Sequence, residues 1–480
     1  MNSPFDEATY KALLEGLEIA EISLNELKSE NQTFRFDSEY LKKEYLLNIQ
    51  NLKSFPSGYI RLNNAIKYMS GGATPLGAEY QENEEISFLR VQNIMQNYFN
   101  LDDVVYISQK QDEEIKRSRL EENDVLLTIT GSYGKSTVVP LSLVGANINQ
   151  HSVKITLNSN INPYFLSTFL NSKQGKLQSD KNIVGVTRPA LDYEVIRNFL
   201  IPILPQSFQF DIQSMILKSK ELSDHSQSLY RQAESLLLQE IGLQDFAPSS
   251  EKCNIKSFKE SFGATGRLDA EYYQRKYEDI IAKVKAQHYD LLGDLVTIKK
   301  SIEPGSNAYS DTGIPFVRVA DYNQFGISSP DIFLSEKFCK ENAELLKTLY
   351  PQKGTILFSK DGSVGTAYML REDMRAITSG ALLHLTVKDT KKVLPGYLTL
   401  VLNTTLVKHL AERDAGGSII LHWRIDEIKQ VVIPIIAYDI QQQIAALIAE
   451  SFRLREESER LLEQAKAAVE QEIERESECL

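Results

Sequence analysis

Residues that staple, coordinate or anchor are scarce in this 480-residue chain. Its three cysteines, Cys253, Cys339 and Cys479, are scattered with no CxxC spacing, which argues against a disulfide framework and against a zinc site. The six histidines, at 151, 225, 288, 384, 409 and 422, include no close pair at ligand spacing, so no metal is expected. No apolar run is long enough to span a bilayer. The N-terminus, Met1-Asn-Ser-Pro-Phe-Asp-Glu7, is acidic where a signal peptide would be basic. The expectation is a cytoplasmic protein with no membrane partner.

Catalytic motifs are also missing. Gly134-Lys135-Ser136-Thr137 imitates the end of a phosphate-binding loop, but that loop needs glycine where the chain has Ile129. Asn162-Pro-Tyr-Phe165 resembles an amino-methyltransferase signature without its second proline, and no glycine-rich cofactor loop precedes it. Pro330-Asp331 with Glu336-Lys337 suggests a nuclease core, yet adjacent Glu and Lys would point to opposite faces of a strand. No catalytic residue is assigned, and no enzyme activity is expected of the chain alone.

Net charge is −12, an unpromising sign for a nucleic-acid binder until its distribution is counted. Residues 1–34 carry 7 acidic and 2 basic side chains, 206–246 carry 6 and 3, and 439–480 carry 11 and 5. By contrast, 35–205 hold 18 of each sign and 247–438 hold 25 basic against 23 acidic. Acidity is confined to the end and middle segments, so the stretches between them are able to present a basic face.

What the chain does contain is a repeat. Arg35-Phe-Asp37-Ser-Glu39-Tyr40 returns as Arg267-Leu-Asp269-Ala-Glu271-Tyr272, an offset of 232. Phe88-Leu-Arg90-Val91 returns as Phe316-Val-Arg318-Val319, Gly131-Ser-Tyr-Gly134 as Gly362-Ser-Val-Gly365, and Ile201-Pro202 as Ile433-Pro434. Asp211-Ile-Gln213 and Asp439-Ile-Gln441 open the last part of each copy, and Gln239-Glu-Ile241 and Gln471-Glu-Ile473 close it. Measured between those marks the second copy is longer, 35 residues against 31. A period this long makes each copy a domain with its own helix, and the two surfaces are related by a pseudo-twofold.

Steps of 3 and 4 link Ile212, Met215, Ser219, Leu222, Ser226, Leu229, Ala233 and Leu236, and likewise Ile440, Ile444, Leu447, Ser451, Leu454, Ser458, Leu461, Ala465 and Ala468. Such spacing puts each set along one helix side, the seam of a coiled coil. Serine in the middle of both seams predicts a middle that is closely approached but weakly apolar; if the helices pair antiparallel, Ser219 and Ser226 lie across from Ser451 and Ser458. About 31 residues at roughly 1.5 Å each give a rod of about 46 Å. Ala12-Leu-Leu14-Glu15-Gly16-Leu17 resembles Leu237-Leu-Gln239-Glu240-Ile241-Gly242-Leu243, the exit of the first helix, which suggests a circular arrangement that brings the termini together.

Within each copy, 124–130, 152–157, 354–359 and 381–387 read as strands, and 162–171 and 395–403 as helices with proline in the first turn. After one strand of each copy comes a turn rich in glycine and hydroxyls, Thr130-Gly-Ser132-Tyr133-Gly-Lys135-Ser136 and Lys360-Asp-Gly-Ser363-Val-Gly365-Thr366. Glycine lets backbone amides approach a phosphate, while Lys, Ser and Tyr contact phosphates or base edges. A tight hairpin kept for its φ angles explains the same glycines equally well. His151 in Asn149-Gln-His151, Arg188 in Val186-Thr-Arg188, and His422-Trp423-Arg424 group amides, rings and guanidinium near strand or loop ends and are further candidates. Arg90 and Arg318 are as suited to structural ion pairs as to phosphate contacts.

Taken in order, Phe-x-Arg-Val, the Lys-Asp-Gly-Ser-Val-Gly turn, Asn-Gln-His, a glycine-rich segment before Ile-Pro, and Asp-Ile-Gln at a long helix resemble the DNA specificity subunit of type I restriction-modification systems, twice and over nearly the whole chain. The resemblance implies an α+β chain with two mixed α/β target-recognition domains separated by two long antiparallel coiled-coil helices. Its boundaries would be a 1–34 helical segment completing the second helical region, recognition domains at 35–205 and 247–438, and spacer helices at 206–246 and 439–480. The implied partners are double-stranded DNA, two methyltransferase subunits docked on the helices, and restriction or translocase subunits. The chain itself would need no cofactor, with S-adenosylmethionine, ATP and magnesium held by those partners. The copies depart from each other where Thr130 stands against Lys360 and Asn149-Gln-His151 against Thr378-Ser-Gly380, so contacts from those positions should differ between half-sites. The alternative is a non-enzymatic coiled-coil scaffold whose repeated domains bind protein.

Overall fold

The computed structural model describes residues 10, 13, 22–31, 35–75, 80, 86–158, 161–185, 189–251, 253–417 and 420–478. The chain divides into two units, Met1–Ser223 with Glu456–Leu480, and Asp224–Arg455. Each contains one copy of the repeat and parts of both long helices.

In the first unit the strands are β1 (Tyr59–Arg61), β2 (Ile66–Gly71), β3 (Ile86–Leu89), β4 (Val105–Ile107), β5 (Val125–Thr128), β6 (Ser136–Val138), β7 (Asn147–Ile148), β8 (Ser152–Leu157) and β9 (Leu200–Pro202). They form a four-stranded sheet β2-β8-β5-β6, a three-stranded sheet β4-β3-β7 and the pair β1-β9. The second unit has β10 (Tyr289–Leu291), β11 (Val296–Lys300), β12 (Tyr309–Ser310), β13 (Ile314–Val317), β14 (Tyr322–Asn323), β15 (Gly326–Ile327), β16 (Phe333–Leu334), β17 (Ile356–Ser359), β18 (Ala367–Met369), β19 (Ile377–Thr378), β20 (Leu382–Val387) and β21 (Val432–Pro434). Its sheets follow the same pattern, β11-β20-β17-β18, β12-β16-β13-β19 with one strand more than its counterpart, and β10-β21, and β14-β15 form a hairpin where the first unit has the single bridge Ile94–Phe99. Both copies also share one parallel strand pairing, β3 with β7 and β13 with β19, while the other strand pairs among the described residues are antiparallel. β5 and β17 are buried at every position, which is why their sequences run apolar without alternation.

The helices Pro163–Asn171 and Pro395–Asn403 begin on proline as expected. Asn162 caps the first, its Oδ1 accepting from Tyr164 N at 2.9 Å and Phe165 N at 3.4 Å, so the methyltransferase-like tetrapeptide is a helix start. Glu336 likewise opens the helix Glu336–Glu341 and lies on no strand.

The long helices are Gln206–Glu240 and Tyr438–Glu478. In the first unit Ile212 and Ile216 share a core with Ala465, Val469 and Ile473 and with sheet residues such as Leu127 and Val153. The second-unit core joins Tyr230, Ala233 and Leu237 to Ile444, Ile448 and Phe452, and to Phe358 and Leu383. Ser219 pairs with Ser458 and Ser226 with Ser451, so within each unit the helices run antiparallel. All four serines are buried. The seam departs from the expected stripe along its length. Leu222, Leu229, Leu236, Ile440, Leu447 and Leu461 are half-buried, whereas Ile216, Tyr230, Leu237, Ile448 and Val469 are buried. Of the expected seam leucines Leu454 is buried, as is Ile212. The reason is that each helix packs on its partner and on its own sheet domain, which widens and turns the apolar face.

The two helical stretches are in register throughout, because both start and Gln-Glu-Ile marks lie 232 residues apart. The Asp-Ile-Gln match misaligns them by one turn. Gln209 Oε1 accepts from Asn162 N at 3.0 Å, and it is Gln441 Oε1 that accepts from Leu394 N at 3.0 Å; Gln213 instead takes Asn162 Nδ2. The expected difference of 35 against 31 residues therefore reflects that misalignment; the helices themselves are 35 and 41 residues long, because the second continues past its Gln-Glu-Ile mark where the first ends at Glu240. At the first helix's exit Gly242 has φ +65°, and Leu243 N donates to Leu238 O at 2.8 Å and Gly242 N to Gln239 O at 3.0 Å, a Schellman ending. Its proposed counterpart at 12–17 lies outside the described residues except for Leu13.

Candidate nucleic-acid interface

The strongest repeated string turns out to be a clamp. Arg35 grips Asp37 with Nε at 2.7 Å and Nη2 at 2.6 Å, while Nη1 donates to Ile183 O at 2.9 Å. Arg267 grips Asp269 at 2.9 and 2.7 Å and donates to Asp414 O at 3.1 Å. The Arg35 guanidinium holds the Asp37 carboxyl down to about 2. Tyr40 and Tyr272 lie beneath these arginines, and Lys181 and Arg413 cover the same rings. Arg90 and Arg318 also resolve into ion pairs, with Asp103 at 3.1 Å and Asp321 at 3.1 Å. Thus three of the conserved-looking charges between copies serve the fold.

The glycine turns are superimposable bond by bond. Gly131 and Gly134 have φ of +71° and +80°, and Gly362 and Gly365 have +72° and +82°, a conformation costly for any side chain with a Cβ. Thr128 Oγ1 donates to Ser132 O at 2.8 Å and accepts from Lys135 N at 2.9 Å. Ser359 Oγ does the same with Ser363 O at 2.5 Å and Thr366 N at 3.0 Å. Asn171 spans Ser136 N and O at 2.9 and 2.8 Å, and Asn403 spans Ala367 N and O at 2.9 and 2.8 Å.

This bonding corrects the pairing of positions read from sequence. Lys135 is the counterpart of Thr366, Thr130 of Asp361, and Lys360 of Ile129. Ile129 N and Lys360 N donate to His151 O and Ala381 O, each at 2.9 Å, so Asn149-Gln-His151 aligns with Ser379-Gly-Ala381. Asp361 is a charged member of the second turn that residue type and spacing did not single out.

The candidate side chains fall into three groups. Ser132 and Ser363 are exposed at the turn tips, His422 and Arg424 are exposed beside the second turn, and His151 is half-exposed beside the first. Arg424 pairs with Glu427 at the start of the helix Ile425–Lys429. Tyr133, Lys135 and Lys360 are partly covered. The Tyr133 hydroxyl donates to Asp180 Oδ1 at 3.0 Å with Lys176 Nζ 3.8 Å above its ring, and burial, then that bond, push its pKa up to about 12. Lys135 Nζ approaches Met95 Sδ at 3.5 Å, and Lys360 Nζ pairs with Asp361. Ser136 and Trp423 are buried, at 0% and 1% exposure. Ser136 lies within β6, and Trp423 packs against Phe358 at 5.8 Å, so neither can meet a nucleic acid directly. Arg188 lies outside the described residues.

Two stretches of this chain, 56–218 and 291–466, match the family model for the type I restriction modification DNA specificity domain. The chain belongs to this family. The two stretches contain both glycine turns, the opening turns of the first long helix (206–218) and most of the second (438–466). Solved structures with similarity include the type I restriction-modification S subunit from M. genitalium, at 13% identity over 86% of this chain and 94% of that one, TM-score 0.40. The HsdS subunit from Thermoanaerobacter tengcongensis is similar at 16% identity over 86% and 96%, TM-score 0.28. No curated protein sequence matches the chain. Among the described residues no helix is long and apolar enough to cross a membrane, and no group of His, Cys, Asp or Glu is arranged to hold a metal ion.

Proposed function

We propose that this chain is the DNA-recognition subunit of a type I restriction-modification complex. Each specificity domain reads one half of a split, asymmetric duplex site, and the paired long helices set the spacing and dock methyltransferase subunits. The observation that carries this reading is the double occurrence of the specificity domain, with one backbone turn conserved between copies and different side chains mounted on it. A shared scaffold with unlike side chains suits two unlike half-sites, because backbone contacts position a protein on DNA and side chains at base edges specify sequence. The acidic helices offer docking surface and no phosphate contacts, so tight DNA binding belongs to the assembled complex. S-adenosylmethionine, ATP and magnesium would be held by partner subunits, and restriction or translocase subunits would join the same assembly.

The test is methylation of genomic DNA by the chain with its methyltransferase subunits, and by the chain alone. The expected result is a bipartite motif with an unread gap, modified only when the partner is present. One continuous motif, or robust methylation by the purified chain with S-adenosylmethionine, would overturn the proposal.

A further inference from the structure

Asp361 holds two groups with one carboxylate. Its Oδ2 pairs with Lys360 Nζ, and its Oδ1 lies 2.9 Å from His422 Nδ1. Main chain fixes the arrangement, since Asp361 and His422 are bridge partners, Gly362 N donates to Leu421 O at 2.9 Å, and Trp423 N donates to Lys360 O at 2.7 Å. Buried Trp423 and the left-handed Gly362 anchor the two sides of this bridge. The members differ in exposure: the side chains of Lys360 and Asp361 are 15% and 17% exposed, that of His422 is 65% exposed. In the first domain the equivalent positions are Ile129, Thr130 and Ala190, the last by the matching bridge to Thr130. The cluster therefore belongs to one half of the molecule.

We propose that His422 reads a base in the half-site of the second specificity domain, that Asp361 is its positioning residue, and that Lys360 completes the carboxylate's pairing without touching DNA. The inference rests on the DNA-reading function proposed above. A neutral imidazole that donates Nδ1–H to a carboxylate has Nε2 left as an acceptor. In the major groove an acceptor finds the exocyclic amino group of adenine or cytosine, so the base read is one that carries such a group. Replacing the carboxylate by an amide lets the new NH2 donate to Nδ1, which moves the ring proton to Nε2. The side chain then presents a donor and favours guanine O6 or thymine O4 instead.

Random-sequence duplex DNA selected by the full-length chain, with its host's methyltransferase subunits present, tests this. The wild type should enrich a split motif. His422→Ala should lower preference at one position of the second half-site by about tenfold, leaving the first half-site and the melting temperature unchanged. Asp361→Asn should shift that same position from an amino-bearing to a keto-bearing base, and Lys360→Met should keep the wild-type preference. A wild-type split motif that His422→Ala leaves intact overturns the inference and spares the proposed function. Uniform weakening on all sequences overturns it also, by making His422 a phosphate contact. If the wild type enriches no sequence, the proposed function itself falls.

Discussion

Ser219 and Ser458 face each other with hydroxyl oxygens 2.8 Å apart, and each hydroxyl also reaches the other's backbone carbonyl, at 2.9 and 2.8 Å. Ser226 and Ser451 repeat the arrangement in the other unit, with hydroxyls 3.2 Å apart and Ser451 Oγ donating to Ser226 O at 2.8 Å. So close an approach leaves no room for a larger residue. Leucine at any one of the four should overfill its layer and cost about 1–3 kcal/mol, read as a lower urea midpoint. Stability unchanged in all four variants would show that the helices separate easily at these layers.

His384 gives the second domain a pH dependence. It is buried on β20, its Nε2 is 2.8 Å from Thr378 Oγ1, and burial, with Lys299 adding to it, pulls its pKa down to about 4. Because the folded pKa lies below the unfolded value of about 6.5, the unfolded chain takes up the proton first as pH falls. The stability due to neutral His384 is present above about pH 6.5 and lost progressively toward pH 4, by on the order of 2–3 kcal/mol. Urea melts from pH 7 to 4 should therefore be flatter for His384→Gln than for the wild type. Parallel curves would show that other groups carry the acid sensitivity.

The β14–β15 hairpin clamps the second domain to its helices. Phe325 at its tip lies 5.2 Å from the Tyr230 ring, 6.4 Å from Phe452 and 4.2 Å from the Arg455 guanidinium. In the first domain the hairpin from Ile94 to Phe99 is tipped by Asn97 (φ +65°), which is tied to Ser136 O at 2.8 Å and Ser167 Oγ at 2.8 Å, inside its own domain. Phe325→Ala should cost about 2–3 kcal/mol, somewhat less than truncating a fully buried Phe, and should speed amide exchange in the hairpin and around Phe452. An exchange pattern identical to wild type would show the clamp to be dispensable.

Spacing should follow helix length if the helices set the gap in the target. Seven residues added to each long helix, between the paired serines, keep the seam in phase and lengthen it by about 10 Å. The methylome motif should then gain roughly three unread base pairs at 3.4 Å each, with both half-sites unchanged. A variant that changes the bases read and not their separation would refute the role of the helices as spacer.

Sequence alone sufficed for the two-copy plan, the strand and helix cores, and the serine layers. Each rests on short-range regularity: a fixed offset, a run of apolar residues, or steps of 3 and 4 that a helix turns into one side. Exact seam positions needed the fold, because Tyr230 and Leu237 are buried by a sheet domain as well as by the partner helix. Register between copies also needed it. Asp-Ile-Gln matches in residue type, yet hydrogen bonds from Asn162 and Leu394 align Gln209 with Gln441. Above all, the site's chemistry was a tertiary decision. Lys360, Ser136 and Trp423 look alike as candidates on paper, but strand packing buries Ser136 and Trp423, and Asp361 occupies Lys360. The histidine that Asp361 contacts is 61 residues away along the chain, a distance closed only when the segment before the last short helix returns to bridge the glycine turn.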